Sequence, residues 1–130
     1  TVIIPTFNAA ATLPACLAAL VPGAVEGVIK EVIVSDGGSS DDTIAIAEGC
    51  GATVFSGPKG RGAQLAAGAD AARGSWLLFL HADTVLEPGW VGEVGAFLAS
   101  APKPAACVRF GFDDQSAPAR RAALSRPRRV

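Results

Sequence analysis

Four short runs rich in β-branched and aromatic residues return along this chain, and helical patterning fills the intervals between them. That alternation restricts the fold more than any other feature. The runs are Val2-Ile3-Ile4, Val32-Ile33-Val34, Thr53-Val54-Phe55 and Trp76 to Leu80. After the first, Leu13, Cys16, Leu17 and Leu20 recur at i, i+3, i+4 and i+7, one face of a helix. Thr12 stands at its N-cap, and Pro14 falls in the first turn, where a missing N–H costs nothing. Pro22-Gly23 is expected to stop it. A second helix is expected over Asp41 to Glu48, with acids in its first turn as the helix dipole favours. A third is expected from Ala63 to Ala72, behind a glycine-rich loop from Gly57 to Gly62, its small side chains allowing close approach to a sheet. Gly74 closes that stretch. Pro88 opens a fourth, with Trp90, Val91, Val94, Phe97 and Leu98 on one face, and Val108, Phe110 and Phe112 alternate as a last strand. This order predicts an α/β fold: a mainly parallel sheet flanked by helices on both sides, with right-handed crossovers. Trp76 to Leu80 is continuously apolar, the pattern of a central strand buried on both faces.

With 130 residues, half of them apolar, the chain is one domain able to bury a core. Its net charge of −1 gives no case for nucleic acid or an anionic membrane as a general partner. Arg109, Arg120, Arg121, Arg126, Arg128 and Arg129 crowd the last fifth. They form either a solvated tail or a patch facing phosphate or lipid. Cys16, Cys50 and Cys107 are odd in number and widely spaced. That argues against a zinc site or a disulfide framework and suits a reducing compartment, each cysteine serving as a small buried hydrophobe. No run reaches the ~18 apolar residues needed to cross a bilayer. The expected location is the cytoplasm, with the inner face of the membrane as the alternative. The sequence has no methionine, and residue 2 already begins a strand, so the chain is expected to be part of a longer protein.

Ligands of parallel sheets bind beyond the carboxyl ends of the strands. The polar irregularities of this sequence fall there: Pro5-Thr6-Phe7-Asn8, Asp36, Gly57 to Gly62, and His81-Ala82-Asp83-Thr84. Asp83 reads either as a ligand of Mg2+ or Mn2+ shared with phosphate oxygens, with Glu87 four residues on, or as the cap of the next turn. His81, two residues earlier on the same face of an extended segment, could give a nitrogen to Mn2+, donate to phosphate, or be structural. Asp36 precedes Gly37-Gly38-Ser39 and either accepts from a base or ribose donor or closes an Asx turn. Arg61, between Gly60 and Gly62, can lie against phosphate or a base edge, or be a surface arginine. The glycine pattern of dinucleotide folds, a P-loop and a Gly-x-Ser-x-Gly elbow are all missing.

Taken in order, these segments resemble the family-2 glycosyltransferases of the GT-A fold. Val2-Ile3-Ile4-Pro5-Thr6-Phe7-Asn8 resembles their opening strand and nucleotide loop. Val34-Ser35-Asp36-Gly37-Gly38-Ser39-Ser40-Asp41-Asp42-Thr43 resembles their acidic second turn. Ala71 to Thr84 resembles the strand and metal motif. A bacterial subgroup with His-Ala-Asp-Thr and Gly-Arg-Gly-Ala-Gln is most similar. The resemblance implies that residues 1–112 are the nucleotide-sugar-binding half of a GT-A fold. Residues 113–130 would then be a basic tail or the start of an acceptor half. It implies nucleotide contacts from Pro5, Thr6, Phe7, Asn8, Asp36, Arg61 and Ala82, with Phe7 near the base and Asp36 accepting from it. Mg2+ or Mn2+ would be held by Asp83 and His81, His81 standing where the family usually has its first Asp. Ser35 and Ala66 likewise replace a common Asp and a frequent Asn.

The implied activity is transfer of a sugar from a nucleotide diphosphate-sugar to an unidentified acceptor, with inversion. The resemblance implies a catalytic base beyond Val130, so this length alone is expected to be inactive in transfer and to self-associate through its open sheet. The alternative is a nucleotide-binding module without transfer activity. A nucleotidyltransferase would need a basic, glycine-rich signature after the first strand, where Pro5-Thr6-Phe7-Asn8 stands.

Overall fold

The computed structural model describes residues 1–100, and these form the α/β layers that the alternation predicts. In chain order they are β1 (Val2–Thr6), α1 (Leu13–Val25), β2 (Val32–Asp36), α2 (Thr43–Gly49), β3 (Thr53–Ser56), α3 (Arg61–Ala71), β4 (Leu78–Phe79) and α4 (Trp90–Ser100). The sheet is wholly parallel in the order β3-β2-β1-β4. Thr6 pairs with Asp36 and Asp36 with Ser56, so three strands end in line and release their loops at one rim.

Alternation along β1 sorts its side chains onto two helical layers. Val2 and Ile4 join Val34, Leu80 and the Leu13, Cys16, Leu17 and Leu20 face of α1 in one buried cluster. Ile3 points the other way, where α3 lies so close that a Cβ on Gly68 would come within 2.4 Å of its Cγ2. The expected close approach is therefore real, and glycine rather than the surrounding alanines makes it.

Several local expectations change. Helix α1 continues past Pro22 to Val25: the ring fits helical φ, and although it forfeits one bond and crowds the carbonyl four residues back, the Pro22 carbonyl still accepts from Glu26 N–H at 3.0 Å. Gly23 does not stop the helix but makes room for the Trp90 ring, which would lie 2.4 Å from a Cβ there. The indole Nε1 donates to the Ala19 carbonyl at 3.0 Å. Thr12 holds the N-cap position without capping, its hydroxyl turning back to the Ala9 carbonyl at 3.4 Å. Helix α2 starts at Thr43, since the Asp41 carboxylate instead accepts the Thr43 N–H at 3.1 Å, and its first turn has no acid.

The largest correction concerns the fourth run. Only Leu78 and Phe79 pair, on β1, and no described strand lies on the far side of β4. Trp76, Leu77 and Phe79 are 38, 38 and 48 % exposed, so among the described residues this is an edge strand rather than a central one. Composition alone cannot tell a buried strand from one whose cover comes from elsewhere. Cys16 is buried as expected, but Cys50 is exposed at the end of α2. Cys107, the strand at Val108 to Phe112, the boundary at residue 112 and the arginine-rich end lie outside the described residues.

Candidate functional site

Two of the rim loops are zipped together by small polar side chains. Asn8 adopts a left-handed backbone (φ 50°), a conformation asparagine tolerates better than most residues. Its Oδ1 accepts from the Ser40 N–H at 2.8 Å, and its own N–H donates to Ser39 Oγ at 2.8 Å. The N–H groups of Ala9 and Ala10 donate to Thr43 Oγ1 (2.8 Å) and Asp41 Oδ2 (3.0 Å). The Ser-Ser-Asp-Asp-Thr segment thus gives the loop after β1 the partners that no strand supplies there.

Asp36 is the hub of this zipper. Its carboxylate is buried and accepts four bonds: from Thr6 Oγ1 (2.8 Å), Ser39 Oγ (2.5 Å), Gly38 N–H (2.9 Å) and Ser39 N–H (2.7 Å). Burial pushes this carboxyl up. The bonds from Ser39, Thr6 and Gly38 outweigh it and hold the group below its ordinary value. The Asx-type turn is therefore formed, and Asp36 does not line the cleft described below.

Gln64 ties the third loop to the other two. It is buried, its Nε2 donates to the carbonyls of Thr6 and Ser35 (both 2.7 Å), and its Oε1 accepts from Gly60 N–H at 3.3 Å. One amide side chain at the start of α3 thereby fixes the ends of β1 and β2 and the Gly57–Gly62 loop relative to each other.

Over these ends opens a cleft of about 430 Å³, lined on one side by Pro5, Thr6, Phe7 and Asn8. Lys59, Gly60, Arg61 and Gln64 line the second side, and His81, Ala82 and Asp83 the third. All the residues expected at the site except Asp36 meet there. Sequence reasoning missed Lys59 and Gln64 as site residues. The signals were available: a second cation beside Gly60-Arg61, and a lone amide among the alanines and glycines of α3. Lys59 Nζ lies 3.7 Å from the Phe7 ring centroid.

Residues 81–84 form a turn closed by Thr84 N–H on the His81 carbonyl (3.0 Å), not the extended segment expected, so the same-face spacing argument fails. The turn itself brings both side chains to the cleft. The His81 carbonyl also accepts from the Cys16 thiol at 3.5 Å, and burial, with Asp83 nearby, pushes that thiol up to about 11. It is a core group, not a ligand in waiting. Arg61, His81 and the exposed Asp83 make no side-chain hydrogen bond or ion pair among the described residues. A bound group could therefore use all three without breaking an internal contact.

No three histidine, cysteine, aspartate or glutamate side chains converge among the described residues. A cation here could draw two protein donors, His81 and Asp83, with anionic ligand oxygens completing the shell, as Mg2+ and Mn2+ sites beside phosphates commonly do. The donor set fits that use and not a closed structural metal site. No helix among the described residues is long and apolar enough to cross a membrane.

Known proteins are similar to this chain in sequence and in fold. A PGL/p-HBAD biosynthesis glycosyltransferase of Mycobacterium bovis BCG is 37% identical over 110 residues, covering 75% of this chain and 40% of its own length. Glucosyl-3-phosphoglycerate synthase from Mycobacterium tuberculosis, crystallised with Mn2+, uridine diphosphate and phosphoglyceric acid, superimposes with a TM-score of 0.58 at 32% identity. That match covers 65% of this chain and 32% of the synthase. TarS of S. aureus, at 24% identity, shares the fold with a TM-score of 0.66 over 76% of this chain and 32% of its own. The chain thus spans about 40% of the length of the curated relatives it matches. The sequence profile described as Glycosyl transferase family 2 matches residues 1–129.

Proposed function

Because this chain belongs to Glycosyl transferase family 2, we propose that it is the donor-binding part of an enzyme that transfers a sugar, with inversion, from a nucleoside diphosphate-sugar to an acceptor. The observation that carries this reading is the cleft over the strand ends. There Lys59 and Arg61 share the lining with a histidine and a carboxylate whose side chains make no hydrogen bond or ion pair among the described residues. Two cations suit a diphosphate. Asp83 would repel it unless a cation lies between, since two unit charges 4 Å apart near a protein surface interact by roughly 4 kcal/mol.

In this reading Asp83 and His81 hold Mg2+ or Mn2+, and the ion supplies charge neutralisation as the diphosphate departs. Arg61 lies against the diphosphate, Ala82 borders it, and Phe7, with Pro5, Thr6 and Asn8, borders the nucleoside. Asp36 serves the nucleotide chiefly by setting the loop that carries Thr6 and Asn8. A base donor reaches its carboxylate only by displacing one of the four donors it already holds. The Mn2+ and uridine diphosphate in the synthase crystal support this reading, as does the phosphoglyceric acid bound there as an acceptor-like partner.

Asp83 is the only carboxylate lining the cleft among the described residues. A base for the acceptor hydroxyl is therefore to be sought elsewhere in the full protein. The same reading has residues 1–112 as the donor half, work at the cytoplasmic side, and self-association of this length through the β4 edge. Calorimetry with uridine diphosphate is the test: binding is expected with Mn2+ and lost in EDTA or in Asp83→Asn. Equal affinity in all three would remove the metal from the account. Sugar transfer by the 130-residue chain alone, as a monomer in light scattering, would refute the division into donor and acceptor parts.

A further inference from the structure

The proposed function places the Lys59 charge near the diphosphate, yet in this structure the ammonium sits over the Phe7 ring. Lys59 and Phe7 both line the cleft, and the ammonium covers one face of the ring, 3.7 Å from its centroid. Phe7 is 41 % exposed, no more than Phe55 on β3, and what sets it apart is that it lines the cleft. That exposure is what a stacking platform for a base requires, since every base presents a π-face. Ammonium and base cannot occupy the same face together. The Lys59 ammonium makes no ion pair among the described residues, and an exposed cation–π contact biases its position only a few-fold. A diphosphate beside Arg61 offers the same ammonium a full counter-charge.

We propose that Lys59 is a further donor-binding residue that exchanges partners. In the empty cleft it caps Phe7, and when a nucleoside diphosphate enters, it gives the ring face to the base and moves to the diphosphate. The exchange rests on the donor-binding reading above and deepens it. It makes the cleft selective for ligands that carry both parts. A nucleoside alone must displace the ammonium without offering it a new partner, whereas a nucleoside diphosphate supplies one. Lys59 thus penalises the first ligand and favours the second.

The test is calorimetry of the 130-residue chain with uridine and with uridine diphosphate, each in Mn2+, for wild type, Lys59→Met and Lys59→Arg. Lys59→Met is expected to bind uridine roughly two- to fivefold more tightly, because the competing cation–π contact is gone. The same variant should bind uridine diphosphate about tenfold more weakly, the scale of a lost charge-assisted contact. Lys59→Arg should restore the diphosphate affinity to near the wild-type value. The opposite signs are the signature, since damage to the loop would weaken both ligands. Wild type binding both ligands, with Lys59→Met leaving both affinities unchanged or lowering both, would overturn the exchange alone. Wild type binding neither would overturn the donor reading and the exchange with it.

Discussion

Replacing Asp36 separates its two expected roles, base acceptor and loop hub. Asp36→Ala removes four bonds at once. The Thr6 side chain is buried, so its hydroxyl loses its acceptor, at a cost of about 1–3 kcal/mol. The Gly38 and Ser39 groups are partly exposed and recover part of their loss from solvent. The alanine also avoids the desolvation cost of a buried charge. Taken together the variant should lose about 3 kcal/mol, a fall in melting temperature on the order of 10–20 °C for a domain of this size.

Asp36→Asn should cost far less, about 1 kcal/mol. Its oxygen can face the two N–H groups while the Thr6 and Ser39 hydroxyls rotate to accept from its amide, a reversal open only to hydroxyls. Thermal melts of both variants, with uridine diphosphate calorimetry at a temperature where each is folded, decide the matter. An Asp36→Ala protein that melts like wild type but has lost nucleotide binding would refute the hub argument and restore direct base recognition.

The same alanine substitution should have opposite effects at two glycines of α3. Gly68→Ala should lower stability by about 1–2 kcal/mol, overpacking against Ile3 outweighing the gain in helix propensity. Gly62→Ala, with open space around its Cβ, should raise stability by up to about 1 kcal/mol; denaturant melts of the pair check the sign. Acid should destabilise the fold through groups held low. The Thr1 hydroxyl and the Arg73 N–H hold Glu31 at about 2, and Asp36 and Asp41 also lie below their ordinary values. Each carboxylate is depressed in the folded state, so its contribution is complete above its unfolded value, about 4, and fades as pH falls towards the folded one. Melts at stepped pH should therefore fall between about pH 4 and 2, less steeply in Asp36→Asn.

The short β-branched runs and the helical spacings between them carried the fold class in the sequence itself. Period and composition report which face of an element is apolar, and a sheet between helical layers is the arrangement that covers such faces. The rim location of the site was equally legible, since polar residues interrupting apolar runs are costly unless they serve a turn or a ligand. Only the folded chain could decide partners. Asp36 reads the same from the sequence whether it meets a base or the hydroxyls of Thr6 and Ser39, because Thr6 is thirty residues away in the chain. Gln64 and Lys59 stand out in the sequence as a lone amide and a second cation, but their partners, Thr6 and Phe7, are met only on folding. Pro22-Gly23 reads as a stop, yet Trp90, far along the chain, makes that glycine a packing site. Local propensity is encoded residue by residue, whereas these contacts join residues whose proximity exists only once the strands have aligned their ends.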